Sequence, residues 1–338
     1  MGGVLWLASG RALALSIALA VPAAESWLPG ASVVREEVQI PFAGRTLAAD
    51  LYRSARPRGT ILLVHGLSAS GRRQPDLARL ARLLARQGPL ALVPQFDSLA
   101  AFKLDGGEVA AIVAALDYAA GVARPVTVAG FSFGAGPALL AAAERPDVRL
   151  AGSFGGYADL RAVVAYVTTE ARAEPYNRWK LLQLLAGLVG DANDRAGLDS
   201  IARARLANPF EDTSPQEAEL RSEGRAVLAL VHNRRADAVS GLLAGLSSDT
   251  NAALDRLSPL SAMSRLRGRV LIAHGRADSS IPYTESVRLA ETAETQVVIL
   301  TSFHHTGPLS FLELMWSGVP DAWKLVGLTK ALLSVRGR

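Results

Sequence analysis

The chain has no cysteine among its 338 residues, which excludes thiol catalysis, disulfide bonds and cysteine-ligated metal sites. It also lacks a basic run interleaved with aromatic residues, so the net charge of +5 predicts a solvated surface and no nucleic-acid partner. No group of His, Asp and Glu has metal-ligand spacing, and no Gly-x-Gly-x-x-Gly or Gly-x-x-x-x-Gly-Lys element occurs. We therefore expect neither a metal nor a cofactor.

Long apolar runs are equally scarce, and the one that stands out lies in residues 1–30. Residues 12–21 are apolar, Arg11 precedes them, and Val21-Pro22-Ala23 has the small residues of a cleavage site, so we expect an export signal peptide. An uncleaved N-terminal membrane anchor is a second interpretation, although Arg11 inside the span would cost roughly 2.5 kcal/mol or more. A third is an apolar helix packed on the domain of a cytoplasmic protein.

After this leader, short apolar runs alternate with helical patterns. Strands are predicted at residues 33–40, 47–52, 60–64, 90–93, 125–129 and 150–154, with helices at 76–86 and 107–119. Such alternation over short loops predicts an α/β fold with a mostly parallel sheet covered by helices on both faces. Ligand sites then lie at the carboxyl ends of the strands.

The alternation stops between residues 160 and 263, where we find helical patterns, for example at 178–189 and 218–230, and no convincing strand. Strands resume at 269–273 and 295–300, and a helix closes the chain from about 322 to 334. We therefore predict a core of residues 31–159 and 264–338, interrupted before the last two strands by an all-helical insertion. This insertion is expected to cover the site as a cap, and a peripheral subdomain is the alternative.

Gly130-Phe131-Ser132-Phe133-Gly134 lies between a run rich in β-branched residues and a run of strong helix formers. A serine at such a strand-to-helix junction is typical of a nucleophile elbow, where glycines leave room for the crossing backbones. The hydroxyl needs an imidazole to take its proton and usually a carboxylate to orient that imidazole. Among the five histidines, His304 and His305 follow the last strand, and Asp278 follows the resumed strand before it.

The stretch His274-Gly275-Arg276-Ala277-Asp278-Ser279-Ser280-Ile281-Pro282, together with the Ser132 elbow and the early His65-Gly66, resembles the α/β-hydrolase fold superfamily. The esterase, dienelactone hydrolase and serine aminopeptidase branches are the most similar, over about residues 33–157 and 265–336. The resemblance implies Ser132 as nucleophile, Asp278 as acid and His305 as base, with His304 as the alternative base. It also implies an oxyanion hole from the backbone N–H groups of Leu67 and Phe133.

Other polar residues near the same edge have structural interpretations. We expect His65 and His274 to shape their turns, whereas Asp97 and Asp159 remain alternative acids because both follow predicted strands.

The resulting hypothesis is a serine hydrolase that acts on a small-molecule carboxylic ester through an acyl-enzyme. A serine aminopeptidase-like peptidase or a thioesterase is the alternative within the same chemistry. The alternative of another class is a noncatalytic, membrane-associated binding protein that keeps the fold.

Overall fold

The computed structural model describes residues 2–20, 22–28, 30–55, 57–170, 174, 176–301 and 311–333. Eight strands of this part form one sheet: β1 Val34–Phe42, β2 Arg45–Arg53, β3 Thr60–Val64, β4 Leu90–Pro94, β5 Val126–Phe131, β6 Val148–Phe154, β7 Val270–Gly275 and β8 Val297–Leu300. Their spatial order is β1-β2-β4-β3-β5-β6-β7-β8. The pairs β1–β2 and β2–β4 are antiparallel, and all the others are parallel.

The central strands are buried on both faces, which is why they read as continuous apolar runs. In β3, Leu62 and Val64 belong to one apolar cluster, whereas Ile61 and Leu63 belong to a second cluster on the opposite face. The period of two along a strand separates these two sets of side chains. The predicted mostly parallel sheet with two covered faces is therefore confirmed.

Seven helices accompany the sheet in the described residues: α1 Gly2–Ala20, α2 Pro75–Arg86, α3 Asp97–Ala100, α4 Gly107–Val122, α5 Ala135–Glu144, α13 Tyr283–Thr292 and α14 Phe311–Leu333. Helices α4 and α5 pack on one face, where Ile112 and Leu139 are fully buried, and α1 and α2 pack on the other. The closing helix begins well before the predicted residue 322. Its backbone stays helical through Gly318 and Pro320, two residue types that the sequence pattern treats as breakers.

The predicted all-helical insertion lies between β6 and β7. Its helices are α6 Leu160–Thr169, α7 Asn177–Ala186, α8 Ala192–Ala207, α9 Ser214–Glu219, α10 Ser222–His232, α11 Val239–Ala244 and α12 Ser248–Arg256, and 3₁₀ segments span Ala236–Ala238 and Pro259–Leu266. No strand occurs among the residues of this insertion that the structure describes.

The prediction of one continuous helix at residues 218–230 of the insertion is wrong. The chain is extended at Leu220 and Arg221, and α10 starts afresh after them. The buried carboxylate of Asp194 in α8 accepts hydrogen bonds from the backbone N–H groups of Arg221 (2.7 Å) and Gly224 (2.7 Å). The N-cap of a helix is usually the residue at its own start. Because Asp194 fills this role from another helix, the sequence around residue 221 carries no capping signal.

The leader forms α1, and its inner side chains are part of the apolar core. Leu15 and Ala18 are fully buried in the cluster that also contains Ile61 and Leu63. The Ser16 hydroxyl lies 2.8 Å from that of Thr329 in α14, and the Arg79 guanidinium donates to the carbonyl oxygen of Ala18. This packing agrees with the structural part of the third interpretation, an apolar helix packed on the domain. Export, cleavage and a cytoplasmic location all remain predictions.

Within the residues described, no helix combines the length and the apolar character that crossing a membrane requires.

The packing of α1 predicts different effects for two leucines on its opposite sides. Leu15→Ala empties a fully buried position and should lower the free energy of unfolding by about 2–4 kcal/mol. Leu13 is 44% exposed, so Leu13→Ala should cost less than about 1 kcal/mol. Urea unfolding of the full-length chain measures both values. Equal effects would show that α1 does not pack on the sheet in solution.

Candidate active site

Ser132 lies at a sharp turn between β5 and α5, at the carboxyl edge of the sheet. Its φ is 52°, a left-handed conformation that costs a residue with a Cβ energy unless its surroundings impose it. The residue opens a 3₁₀ turn over Ser132–Gly134 that leads directly into α5. The amino terminus of a helix favours negative charge, so this position suits an oxyanion.

Glycines permit this turn because backbones cross it in close contact. A Cβ on Gly130 would lie 2.4 Å from the Cα of Ala135, and a Cβ on Gly134 would lie 2.1 Å from the carbonyl oxygen of His65. Neither position has room for a side chain, which explains both flanking glycines of the elbow.

The turn after β3 lies against the serine. A Cβ on Gly66 would be 2.9 Å from the carbonyl oxygen of Phe131 and 3.0 Å from the Cβ of Ser132. The next residue, Leu67, lines the same cavity as Ser132 and Phe133. The two residues predicted to supply the oxyanion hole therefore both border Ser132.

His65 is held as a neutral side chain with both ring nitrogens engaged. Nε2 lies 3.1 Å from the backbone N–H of Phe96 and so accepts, which leaves Nδ1 to donate to the carbonyl oxygen of Gly66 at 2.8 Å. Burial lowers the pKa of His65 below 6.5, although the Gly66 carbonyl and the charge of Asp97 oppose this shift. These bonds fix the turn that leads to Leu67, as expected for a structural histidine.

Asp278 lies beyond the end of β7, and its carboxylate is almost fully buried. Oδ1 accepts hydrogen bonds from the backbone N–H groups of Ser280 (2.8 Å) and Ile281 (2.9 Å). A Cβ on Gly155, the residue directly after β6, would lie 3.7 Å from Oδ2. In the sheet, β6 lies between β7 and β5. The carboxylate is thus directed across the carboxyl edge, on the side of the sheet that leads to Ser132.

His274, in β7, contacts the turn that holds Asp278. Its Nε2 lies 3.0 Å from the carbonyl oxygen of Ile281 and 3.3 Å from Oδ2 of Asp278, and its Nδ1 lies 2.7 Å from the Ser286 hydroxyl. Two oxygens face Nε2, so the proton belongs on that nitrogen. His274 therefore has the structural position predicted for it.

The alternative acids have other environments. Asp159 caps α6, where its Oδ1 accepts from the backbone N–H of Arg161 at 2.9 Å. Asp97 is exposed at the start of α3, and its Oδ1 accepts from Gln95 Nε2 at 3.2 Å. Both candidate bases, His304 and His305, lie outside the described residues, so the choice between them remains a prediction from sequence.

A cavity opens at Ser132. The core and the helical insertion share its lining: Leu67, Ser132, Phe133 and Ser280 come from the core, whereas Val167, Asn177, Lys180, Leu181 and Leu184 come from α6 and α7. The sequence had predicted a cap without identifying these five residues. The signal that could have found most of them is the spacing 177, 180, 181 and 184, which puts four side chains on one helix face.

A buried carboxylate and a half-buried hydroxyl anchor the first helix of the insertion to this edge. The carboxylate of Glu285 in α13 accepts from the backbone N–H groups of Ala158 (3.0 Å) and Asp159 (2.8 Å), directly before α6. The Tyr166 hydroxyl in α6 donates to the carbonyl oxygen of Asp278 at 3.2 Å. Sequence analysis did not identify Glu285 or Tyr166, because each acts on a segment more than one hundred residues away.

The burial of neutral His65 gives a pH dependence with a definite sign. The unfolded histidine binds a proton near pH 6.5 and the folded one only at lower pH, so its stabilisation is complete above 6.5 and is lost as the pH falls towards the folded pKa. In His65→Gln, the fall in the free energy of unfolding between pH 7.5 and 5 should be less steep, by at most about 1.4 kcal/mol per pH unit.

Urea unfolding at several pH values measures this slope, and His232→Gln is the control because His232 lies exposed in the insertion. An unchanged slope in His65→Gln would contradict a buried neutral His65.

No family model matches the chain, and no curated protein matches its sequence. Solved structures match at low identity. An alpha/beta hydrolase, GrgF from Penicillium sp. sh18, is 14% identical with a TM-score of 0.51 and covers 89% of this chain and 99% of its own. A Pyrococcus furiosus esterase is 12% identical with a TM-score of 0.50, covering 90% and 92%.

A third match, Pyrococcus horikoshii acylaminoacyl peptidase, is 12% identical with a TM-score of 0.50 over 89% of this chain. This chain spans only 41% of the length of that peptidase. The strand order, the Ser132 turn and these structural neighbours together show that the protein has the α/β-hydrolase fold.

Proposed function

We propose that the protein is a serine hydrolase that cleaves small carboxylic esters with Ser132 as nucleophile, Asp278 as orienting acid and His305 as base. The observation that carries the proposal is the position of Ser132, held at a φ of 52° and open to a cavity that Leu67 and Phe133 also line. A strained serine at a helix start, beside the predicted oxyanion donors, has the arrangement that acyl transfer requires.

In this mechanism the histidine takes the Ser132 proton while Oγ attacks the ester carbonyl carbon. The carbonyl oxygen becomes an oxyanion that the backbone N–H groups of Leu67 and Phe133 stabilise. Collapse breaks the bond to the alcohol, which leaves with the proton from the histidine, and Ser132 stays acylated. Water then attacks the acyl-enzyme by the same route, releasing the acid and restoring the serine.

The lining of the cavity favours ester hydrolysis over aminopeptidase-like cleavage. An amino-terminal ammonium group needs carboxylates, but none of the nine lining residues is Asp or Glu, and Lys180 would repel it. The structural neighbours include both esterases and peptidases, and their low identity supports the fold alone. A thioesterase remains the second candidate, because the same apolar walls suit a thioester acyl chain.

The proposal predicts covalent labelling of Ser132. The purified wild-type protein should react with a fluorophosphonate probe and hydrolyse p-nitrophenyl esters, and Ser132→Ala should lose labelling and about 10⁴-fold or more of kcat/KM. Ser240→Ala is the control, because Ser240 is an exposed serine of α11. Labelling that survives Ser132→Ala would sink the nucleophile assignment. A folded wild-type protein with neither labelling nor turnover would favour a noncatalytic binding protein.

Separate alanine variants distinguish the two histidines. His305→Ala should lower kcat/KM by a factor similar to that of Ser132→Ala, because nucleophile and base act as a unit. His304→Ala should have a much smaller effect. If His305→Ala keeps nearly full activity and His304→Ala loses it, His304 is the base. Steady-state kinetics of both variants, with circular dichroism as the check on folding, decide between them.

A further inference from the structure

Helix α7 presents one mixed face to the cavity at Ser132. Asn177, Lys180, Leu181 and Leu184 follow the spacing i, i+3, i+4 and i+7, which places their side chains in one stripe along the helix. The amino-terminal half of this stripe is polar and the carboxyl-terminal half is apolar. A ligand in the cavity would therefore meet polar groups at one end and leucines at the other.

The polar end is fixed to the core through Asn177. Its Nδ2 donates to the carbonyl oxygen of Ser279 (3.1 Å) and lies 3.2 Å from the Ser280 hydroxyl, on the turn that holds Asp278. The first turn of α7 therefore has a defined position relative to the catalytic acid.

Lys180 is the one charged side chain among the nine residues that line the cavity. Its Nζ lies 4.2 Å from the centre of the Tyr176 ring and 5.6 Å from that of Phe102, and it donates to the Tyr176 hydroxyl at 3.1 Å. Phe102 belongs to the loop that follows α3, so the ammonium group lies between the insertion and the core. The aromatic rings hold the cation but leave its charge uncompensated.

Within the described part of the chain, no carboxylate lies within 4.0 Å of the Lys180 ammonium group, whereas other lysines are paired. Lys103 lies 3.9 Å from Asp199, and Lys324 lies 3.1 Å from Asp321. A half-buried lysine with aromatic neighbours and no carboxylate in its cavity is suited to an anion supplied by a ligand.

We infer that Lys180 binds a carboxylate of the substrate, so that the preferred esters carry a negative charge a short apolar chain away from the scissile carbonyl. This inference rests on the proposed function of Ser132. Leu181, Leu184 and Val167 line the same cavity and would contact the methylene groups of such a chain.

The test compares two esters that differ in one charge, mono-p-nitrophenyl adipate and its methyl ester. We expect the ratio of kcat/KM, anionic over methylated, to fall by about tenfold in Lys180→Met and further in Lys180→Glu. Lys180→Arg should retain most of the preference because it keeps the charge. A ratio that is the same in wild type and Lys180→Met would overturn the inference while leaving the esterase proposal intact.

Lys103→Met is the matched control, because it removes the same charge close by and Lys103 does not line the cavity. A similar fall in the kcat/KM ratio of this variant would show that the preference arises from the overall positive charge of the protein, and it would overturn the role of Lys180.

A binding measurement separates failure of the inference from failure of the proposed function. Calorimetry compares Ser132→Ala with Ser132→Ala/Lys180→Met, using monobenzyl adipate and its methyl ester as ligands. The double variant should bind the anion about tenfold more weakly and the methyl ester with little change. Equal anion binding by both proteins, or no anion binding by Ser132→Ala, would contradict the inference. If wild type hydrolyses neither ester yet this difference is found, the esterase proposal fails and the anion site stands.

Discussion

The structure depends on a crossing of three backbone segments at Ser132. The turn after β3, the end of β5 and the start of α5 meet so closely that Gly66, Gly130 and Gly134 have no room for a Cβ. This contact holds Ser132 in its left-handed conformation and brings Leu67 beside it. The buried sheet holds Ser132 in this strained conformation, because β3 and β5 are paired parallel strands whose ends cannot move apart. The position of Ser132 is thus a consequence of sheet packing.

Buried carboxylates extend this arrangement to the next strands. Asp278 accepts two backbone N–H groups after β7, and Glu285 accepts two in the segment that enters α6. A buried carboxylate costs free energy unless hydrogen bonds compensate it, so each one specifies the local path of the chain. His274 contacts Asp278, and the Ser286 hydroxyl contacts His274. Asp278 and the segment that enters α6 are therefore held by neighbouring polar groups around β7 and α13.

The fold was predictable because its signals are local. Continuous apolar runs marked the central strands. At the elbow between β5 and α5, two glycines flank the serine, and the pattern changes from that of a strand to that of a helix. The break at Leu220 was not predictable, since its cause is Asp194 in another helix. The same limit applies to the site: the sequence pattern suggested Ser132 and Asp278, but nothing local shows that Lys180 shares a cavity with Ser132. Glu285 and Tyr166 act across more than one hundred residues, beyond the reach of any periodicity.

The insertion has two separable roles at the site. Its first helix is fixed to the core by hydrogen bonds of Glu285 and Tyr166, so the insertion has a defined position near Ser132. Its second helix contributes four side chains to the wall of the cavity, and one of them, Asn177, also donates hydrogen bonds to the turn that holds Asp278. In the proposed mechanism, the groups that act on the ester lie on the core: Ser132, Asp278 and the backbone N–H groups of Leu67 and Phe133. The facing wall of the cavity comes from α6 and α7, and Lys180 is the one charged side chain among the nine lining residues. Under this proposal, the core performs the reaction and the insertion selects the substrate.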